Sequence, residues 1–208
     1  MTNESNQNSS IKFLSIPSLP TDLLYDIITV ADKLELDLDG QKWMTEFHEN
    51  QIQIVSQVYG RSNTILPAFM QQQIEDIYKP FFNQPITGVV GKLTNIHGVG
   101  YSQSPPHCDR QRNIAINFIM RAGGDNVLTC YYKNKRKSNL LSESENSKHK
   151  DVELDFKVRL PEKHWHAYDV QNYHSVENIT GSRLIFSLLL ESNPTFEEFT
   201  KEYSNLLE

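Results

Sequence analysis

The segment Ser104-Pro-Pro-His107-Cys108-Asp109 sets an imidazole and a carboxylate two residues apart. Alternate side chains of an extended segment share a face, so His107 and Asp109 can reach one ion together. A third ligand has to come from elsewhere, and Tyr173-His174-Ser-Val-Glu-Asn178 offers His174. Two histidines and one carboxylate on one face of iron(II) leave three positions open for small ligands. Arg183 then opens the apolar run 184–190. A guanidinium entering a β-core is costly alone, and a carboxylate held by two parallel N–H bonds is its natural partner. A 2-oxo acid would chelate the ion at one end and pair with Arg183 at the other. His-x-Asp by itself is a weak signal, and a lone histidine is more often structural than ligating. The combination of four residues carries the argument.

These residues need a scaffold that brings 107–109 beside 174 and 183. From Thr87 onward the chain is a series of short runs rich in Val, Ile, Phe and Tyr: 87–96, 113–120, 126–132, 152–159, 164–170 and 182–190. Gly, Asn, Asp or Pro separates them, and no helix-length periodic segment intervenes. That pattern predicts an antiparallel sandwich or barrel, not a doubly wound sheet. Ahead of it, Leu24, Ile27, Ile28 and Ala31 recur at helical spacing behind Thr21, a candidate N-cap. A second helix is expected near Leu66 to Tyr78, with Phe69, Ile74 and Ile77 on one side. The stretch Trp43 to Val58 fits helix or strand. Thr195-Phe-Glu-Glu198 is a capping-box pattern that starts a C-terminal helix. The polar stretch 134–150 is long for a loop inside a compact domain and is expected to be mobile and to contribute to a lid.

The expected organisation is a disordered polar tail over 1–10 and one domain over 11–208. Its helical part covers about 20–80, a β core about 87–191, and a C-terminal helix about 195–207. The chain has 208 residues, is 38 % hydrophobic and 10 % aromatic, and carries a net charge of −6. That is ample apolar material for a core, and the charge argues against nucleic acid or anionic membrane as partners. Two cysteines do not make a disulfide framework, and no apolar run approaches the roughly 20 residues that span a bilayer. A cytoplasmic protein is expected.

The order His-x-Asp, distal His, then Arg shortly after resembles the 2-oxoglutarate/iron(II)-dependent oxygenases. The resemblance covers about residues 87–191. Arg112-Asn-Ile-Ala-Ile-Asn117 and His174-Ser-Val-Glu-Asn178 look like short relatives of the aspartyl/asparaginyl β-hydroxylases, and Tyr101 looks like prolyl-hydroxylase-type members. The resemblance implies a double-stranded β-helix, a jelly roll flanked by helices. It implies iron(II) on His107, Asp109 and His174, and Arg183 paired with the far carboxylate of 2-oxoglutarate. Asn117 and Tyr131, each mid-strand, are weaker candidates for the same co-substrate. The implied reaction takes O2 and 2-oxoglutarate, releases succinate and CO2, and hydroxylates a protein side chain or a small amino-acid-like metabolite. Asp109 argues against a halogenase. One departure stands: Ile185 replaces the serine of an Arg-x-Ser pair, and Ser187, of the same strand parity as Arg183, is the candidate substitute.

Two other readings stay open at this point. One is a non-catalytic jelly-roll binding module. The other is a cupin-like metalloenzyme built on His164 and His166, which also share a strand face. Cys108 is read as a small packed hydrophobe pointing away from the ligands.

Overall fold

The computed structural model describes residues 10–36, 45–48, 51–55, 66–97, 104–109, 112–134 and 152–208. The tail before Ser10, Tyr101, and the polar stretch beyond Asn134 lie outside the described residues.

In chain order the elements are β1 (Ile11–Phe13), α1 (Thr21–Leu36), β2 (Thr45–His48), β3 (Gln51–Val55), α2 (Ala68–Tyr78), β4 (Ile86–His97) and β5 (Ser104–His107). There follow β6 (Ile114–Arg121), β7 (Leu128–Asn134), β8 (Val152–Val158), β9 (Trp165–Asp169), β10 (His174–Glu177), β11 (Arg183–Leu190) and α3 (Phe196–Glu202). The strands form two sheets, β1-β9-β6-β11-β4-β3-β2 and β5-β10-β7-β8. Every pairing in both is antiparallel. This is the jelly-roll class expected from the spacing of the β-type runs.

The larger sheet has two unlike faces, and the period-2 alternation of its central strands decides which residue goes where. Ile114, Ile116, Phe118 and Met120 of β6, Trp165 and Ala167 of β9, and Leu184, Phe186 and Leu188 of β11 point to one face. The helices cover that face with Leu23, Ile27 and Ala31 of α1, Met70, Ile74 and Tyr78 of α2, and Phe196 and Phe199 of α3. The opposite face looks onto the smaller sheet. Ile11, Ala115, Ile119, Tyr168 and Val170 meet Tyr131 there, with Phe156 and Ile185 packed alongside. Being covered on both faces, β6 is apolar almost throughout, while the outermost strand β8 keeps Glu153, Leu154, Asp155 and Lys157 exposed.

Several expectations shift in detail. The open stretch 43–58 contributes β2 and β3, which pair with each other. In α2 the buried stripe is Met70, Gln71, Ile74, Glu75 and Tyr78, whereas Phe69 is 61 % exposed. Its stripe is therefore rotated from the expected one. The first bond of α1 runs from the Leu24 N–H to the Pro20 carbonyl, so Thr21 already lies inside the helix. The capping box at Thr195 and Glu198 is present in full.

Candidate metal centre

His107 closes β5 and His174 opens β10, and the two are direct partners in the antiparallel ladder. Their rings lie 4.5 Å apart between centroids. Asp109 stands two residues past β5, where its N–H donates to the Val170 carbonyl at 2.9 Å. The Gln171 side chain donates to the Asp109 and Arg112 carbonyls at 3.0 and 2.7 Å, fastening this loop to the end of β9. The result is that Asp109 Oδ1 sits 3.7 Å from His107 Nε2 and 4.0 Å from His174 Nε2. One ligand atom from each of the three lies within 4.8 Å of the others. Among the described residues no other three ligating side chains come together in this way.

The charge states suit a cation. His174 Nδ1 lies 3.0 Å from the Asn172 carbonyl, which can only accept, so that nitrogen carries the proton and Nε2 keeps its lone pair for a metal. Burial, and then the neighbouring His107, hold the His174 pKa down at about 4, which keeps the ring neutral. Burial alone would raise the carboxyl of Asp109, but the Arg112 guanidinium beside it, together with His174 and His107, holds it below the usual range. Two imidazoles and one carboxylate are a donor set that fits iron(II). The His107 side chain is 44 % exposed and that of His174 7 %, so the centre opens to solvent on the β5 side.

Arg112 was not singled out as a site residue, although it lies close to the centre of the arrangement. Its Nε donates to Asp109 Oδ2 at 2.5 Å, leaving Oδ1 to face the histidines. Its Nη1 donates to Ser187 Oγ at 3.1 Å, Ser187 donates to Asn117 Oδ1 at 2.5 Å, and the Asn117 amide donates to the Tyr168 hydroxyl. A chain of donors thus runs from the carboxylate across β11 and β6 to β9. Both ends of the Asn117 amide are engaged within it. An arginine three residues past a ligand carboxylate was the available signal.

Tyr131 is the ladder partner of His174, with its ring 6.1 Å away. It is 2 % exposed, and its hydroxyl has no hydrogen-bond partner among the described residues. Arg183 is 6 % exposed and donates to the Ala122 carbonyl at 3.0 Å. No carboxylate among the described residues pairs with it. Burial draws its pKa down, with Tyr168 and Glu162 opposing. Tyr168 links the two regions: its ring is 6.3 Å from that of His174, and it also feels the Arg183 charge. The cupin-like pair finds no third ligand among the described residues. His164 Nε2 is 3.2 Å from a Glu208 carboxylate oxygen, and His166 is fully buried.

No family model matches the chain, and no curated protein matches it in sequence. Solved structures do match. One is AviO1 from Streptomyces viridochromogenes Tue57, at TM-score 0.52 and 14 % identity, covering 86 % of this chain and 89 % of that one. Another is a prolyl hydroxylase from Trichoplax adhaerens, solved with a hypoxia inducible factor oxygen degradation domain peptide fragment. It matches at TM-score 0.50 and 10 % identity, covering 89 % of this chain and 86 % of that one. At such identities the likeness is one of fold alone, and the chain shares the jelly-roll fold of these proteins.

Proposed function

We propose that the chain is a 2-oxoglutarate- and iron(II)-dependent dioxygenase that hydroxylates a protein side chain or a small amino-acid-like metabolite. The single observation behind this reading is a cluster of three potential metal ligands and a buried guanidinium without a carboxylate partner among the described residues, both near Tyr168. His107, Asp109 and His174 hold the iron. Arg183 receives the far carboxylate, in surroundings where Ile119 and Ile185 exclude water and strengthen the pairing. Tyr131 supplies a further donor from its free hydroxyl. Arg112 fixes the carboxylate of Asp109, and Ser187, Asn117 and Tyr168 keep Arg112 in place. Bound iron(II) supplies the O2 chemistry that turns 2-oxoglutarate into succinate and CO2 while one oxygen atom enters the primary substrate. The exposed flank at His107 leaves room for a side chain carried on a larger molecule, and one similar fold was solved with a peptide.

The same proposal takes 11–208 as one catalytic unit and places it in the cytoplasm, consistent with the free thiols of Cys108 and Cys130. Among the described residues no helix is long and apolar enough to cross a membrane. The test is succinate release by the iron-loaded chain against a panel of amino acids and peptides. Release that requires both iron and 2-oxoglutarate, and rises with one substrate class, is the expected result. An iron-free chain that neither binds iron(II) nor turns over 2-oxoglutarate would leave a non-catalytic jelly-roll module.

A further inference from the structure

Ser187 and Asn117 are ladder partners in the middle of the larger sheet, on β11 and β6. Their neighbours Phe186, Leu188, Ile116 and Phe118 belong to the helix-covered core, so alternation turns both toward the smaller sheet. They are 4 % and 1 % exposed. A hydroxyl and an amide buried at a sheet centre cost stability, compared with apolar side chains, unless their groups are bonded. Here the bonds do not close within the sheet. Ser187 Oγ accepts from Arg112 Nη1 at 3.1 Å and donates to Asn117 Oδ1 at 2.5 Å, and the Asn117 amide donates on to the Tyr168 hydroxyl. A guanidinium only donates, so the direction of every bond along this chain is set at Arg112.

The same guanidinium meets Asp109 Oδ2 through Nε at 2.5 Å. Its plane is rigid, so fixing Nη1 on Ser187 fixes the direction from which Nε reaches the carboxylate, and with it the way Oδ1 is turned. His107 and His174 stand on the smaller sheet, whereas Asp109 lies in the connection that crosses from β5 to β6 of the larger sheet. The Val170 carbonyl and the Gln171 side chain tie down the main chain of that connection, but neither contact reaches the Asp109 carboxylate. We propose that Ser187 and Asn117 are positioning residues of the metal centre, through which the larger sheet sets the affinity of a site whose two histidines stand on the smaller one. This inference rests on the iron reading above and not on that of the co-substrate.

Anaerobic iron(II) titration of four chains tests it: wild type, Ser187→Ala, Arg112→Met and the double variant, each also melted without metal. Ser187→Ala is expected to weaken iron(II) by roughly 3- to 10-fold, less than Arg112→Met, because it acts one bond further from the ligand carboxylate. In the Arg112→Met background the same change should move the affinity by less than about twofold, since the guanidinium through which it acts is gone. Asn117→Ala should follow the same pattern, and Ser187→Thr, which keeps the hydroxyl, should recover most of the affinity. Wild-type affinity in Ser187→Ala would overturn this inference and leave the iron reading standing. Equal losses with and without Arg112 would do the same, because a general loosening of the sheet weakens both backgrounds alike. A wild-type chain that does not hold iron(II) overturns the iron reading and this inference with it.

Discussion

At the scale of single residues the proposed site divides its labour between two arginines. Arg112 is committed to the protein: it grips the outer oxygen of Asp109 and reaches Ser187. Groups that orient a ligand carboxylate change metal affinity without touching the metal, and Arg112→Met is expected to weaken iron(II) binding by roughly 10- to 100-fold. Anaerobic metal titration reads this directly, and wild-type affinity would remove Arg112 from the centre. Arg183, by contrast, has spare donors and no acid to give them to among the described residues. Lysine cannot reproduce a planar fork, so Arg183→Lys should weaken 2-oxoglutarate by roughly 30- to 150-fold, on the order of 2–3 kcal/mol, and spare iron. A dissociation constant within about twofold of wild type would mean that the far carboxylate is held elsewhere. Residue type and order alone suggested the triad and Arg183; the structure brings the three triad side chains together, and the role of Arg183 stays a proposal. The role of Arg112 was not legible, because it depends on which oxygen of Asp109 it meets, and that is a matter of three-dimensional geometry. Ser187, by its parity with Arg183, was foreseen as a carboxylate contact. In the structure it is taken up by Arg112 and Asn117.

At the scale of elements, the strands of the β core were readable down to the five-residue β9, and the four-residue β5 and β10 were not. Strands β6 and β11 are eight residues each and apolar on a clear pattern, while β5 and β10 are four residues each, and β5 contains Pro105 and Pro106. Both short strands carry candidate metal ligands, so the two pieces that bring the candidate site together are the ones with the weakest strand signal. The turn after β6 shows how an element sets a residue. The Gly123 carbonyl accepts the N–H groups of Thr180 and Gly181 at 2.8 Å each, which fixes the entry into β11 and hence Arg183. Gly123 has φ +90°, and a Cβ there would meet Ile179 Cγ2 at 2.9 Å, Arg183 Cβ at 3.0 Å and the Gly181 carbonyl at 3.1 Å. Gly123→Ala should therefore lower stability by about 1–3 kcal/mol and displace Arg183. Its signature is a lower melting temperature with weaker 2-oxoglutarate binding and intact iron affinity, since the histidine ligands belong to the other sheet. Gly181→Ala is the control. Its Cβ would come no nearer than 3.7 Å to the Gly123 carbonyl, and it should change stability by no more than about 0.5 kcal/mol. Equal effects of the two would show that the turn does not position Arg183.

At the scale of the whole molecule, the two faces of the larger sheet separate an apolar core from the proposed site. The helix-covered face is filled by large apolar side chains, including Trp165, Phe186 and Phe199, each at most 1 % exposed. The inner face mixes Ile119 and Ile185 with His166, Asn117 and Arg183, several of them buried polar groups, and meets Tyr131 of the smaller sheet. Close-packed apolar cores lose contacts and gain a cavity when a ring is removed, so Phe199→Ala should cost about 3–5 kcal/mol. Measured well below its melting point, that variant should bind iron(II) and 2-oxoglutarate as wild type does, because α3 lies across the sheet from the site. Tyr131→Phe should behave in the opposite way. Its hydroxyl is buried without a partner among the described residues, and removing an unsatisfied group is neutral or stabilising. If that hydroxyl serves the co-substrate, the same change weakens 2-oxoglutarate by about fivefold or more, the value of one hydrogen bond to a charged group. Thermal melts and calorimetry on the two variants place them in opposite corners: one unstable with full affinity, the other stable with reduced affinity. A Tyr131→Phe chain that melts lower and binds 2-oxoglutarate as tightly as wild type would make the hydroxyl part of the packing and return the inner face to a structural role at that position.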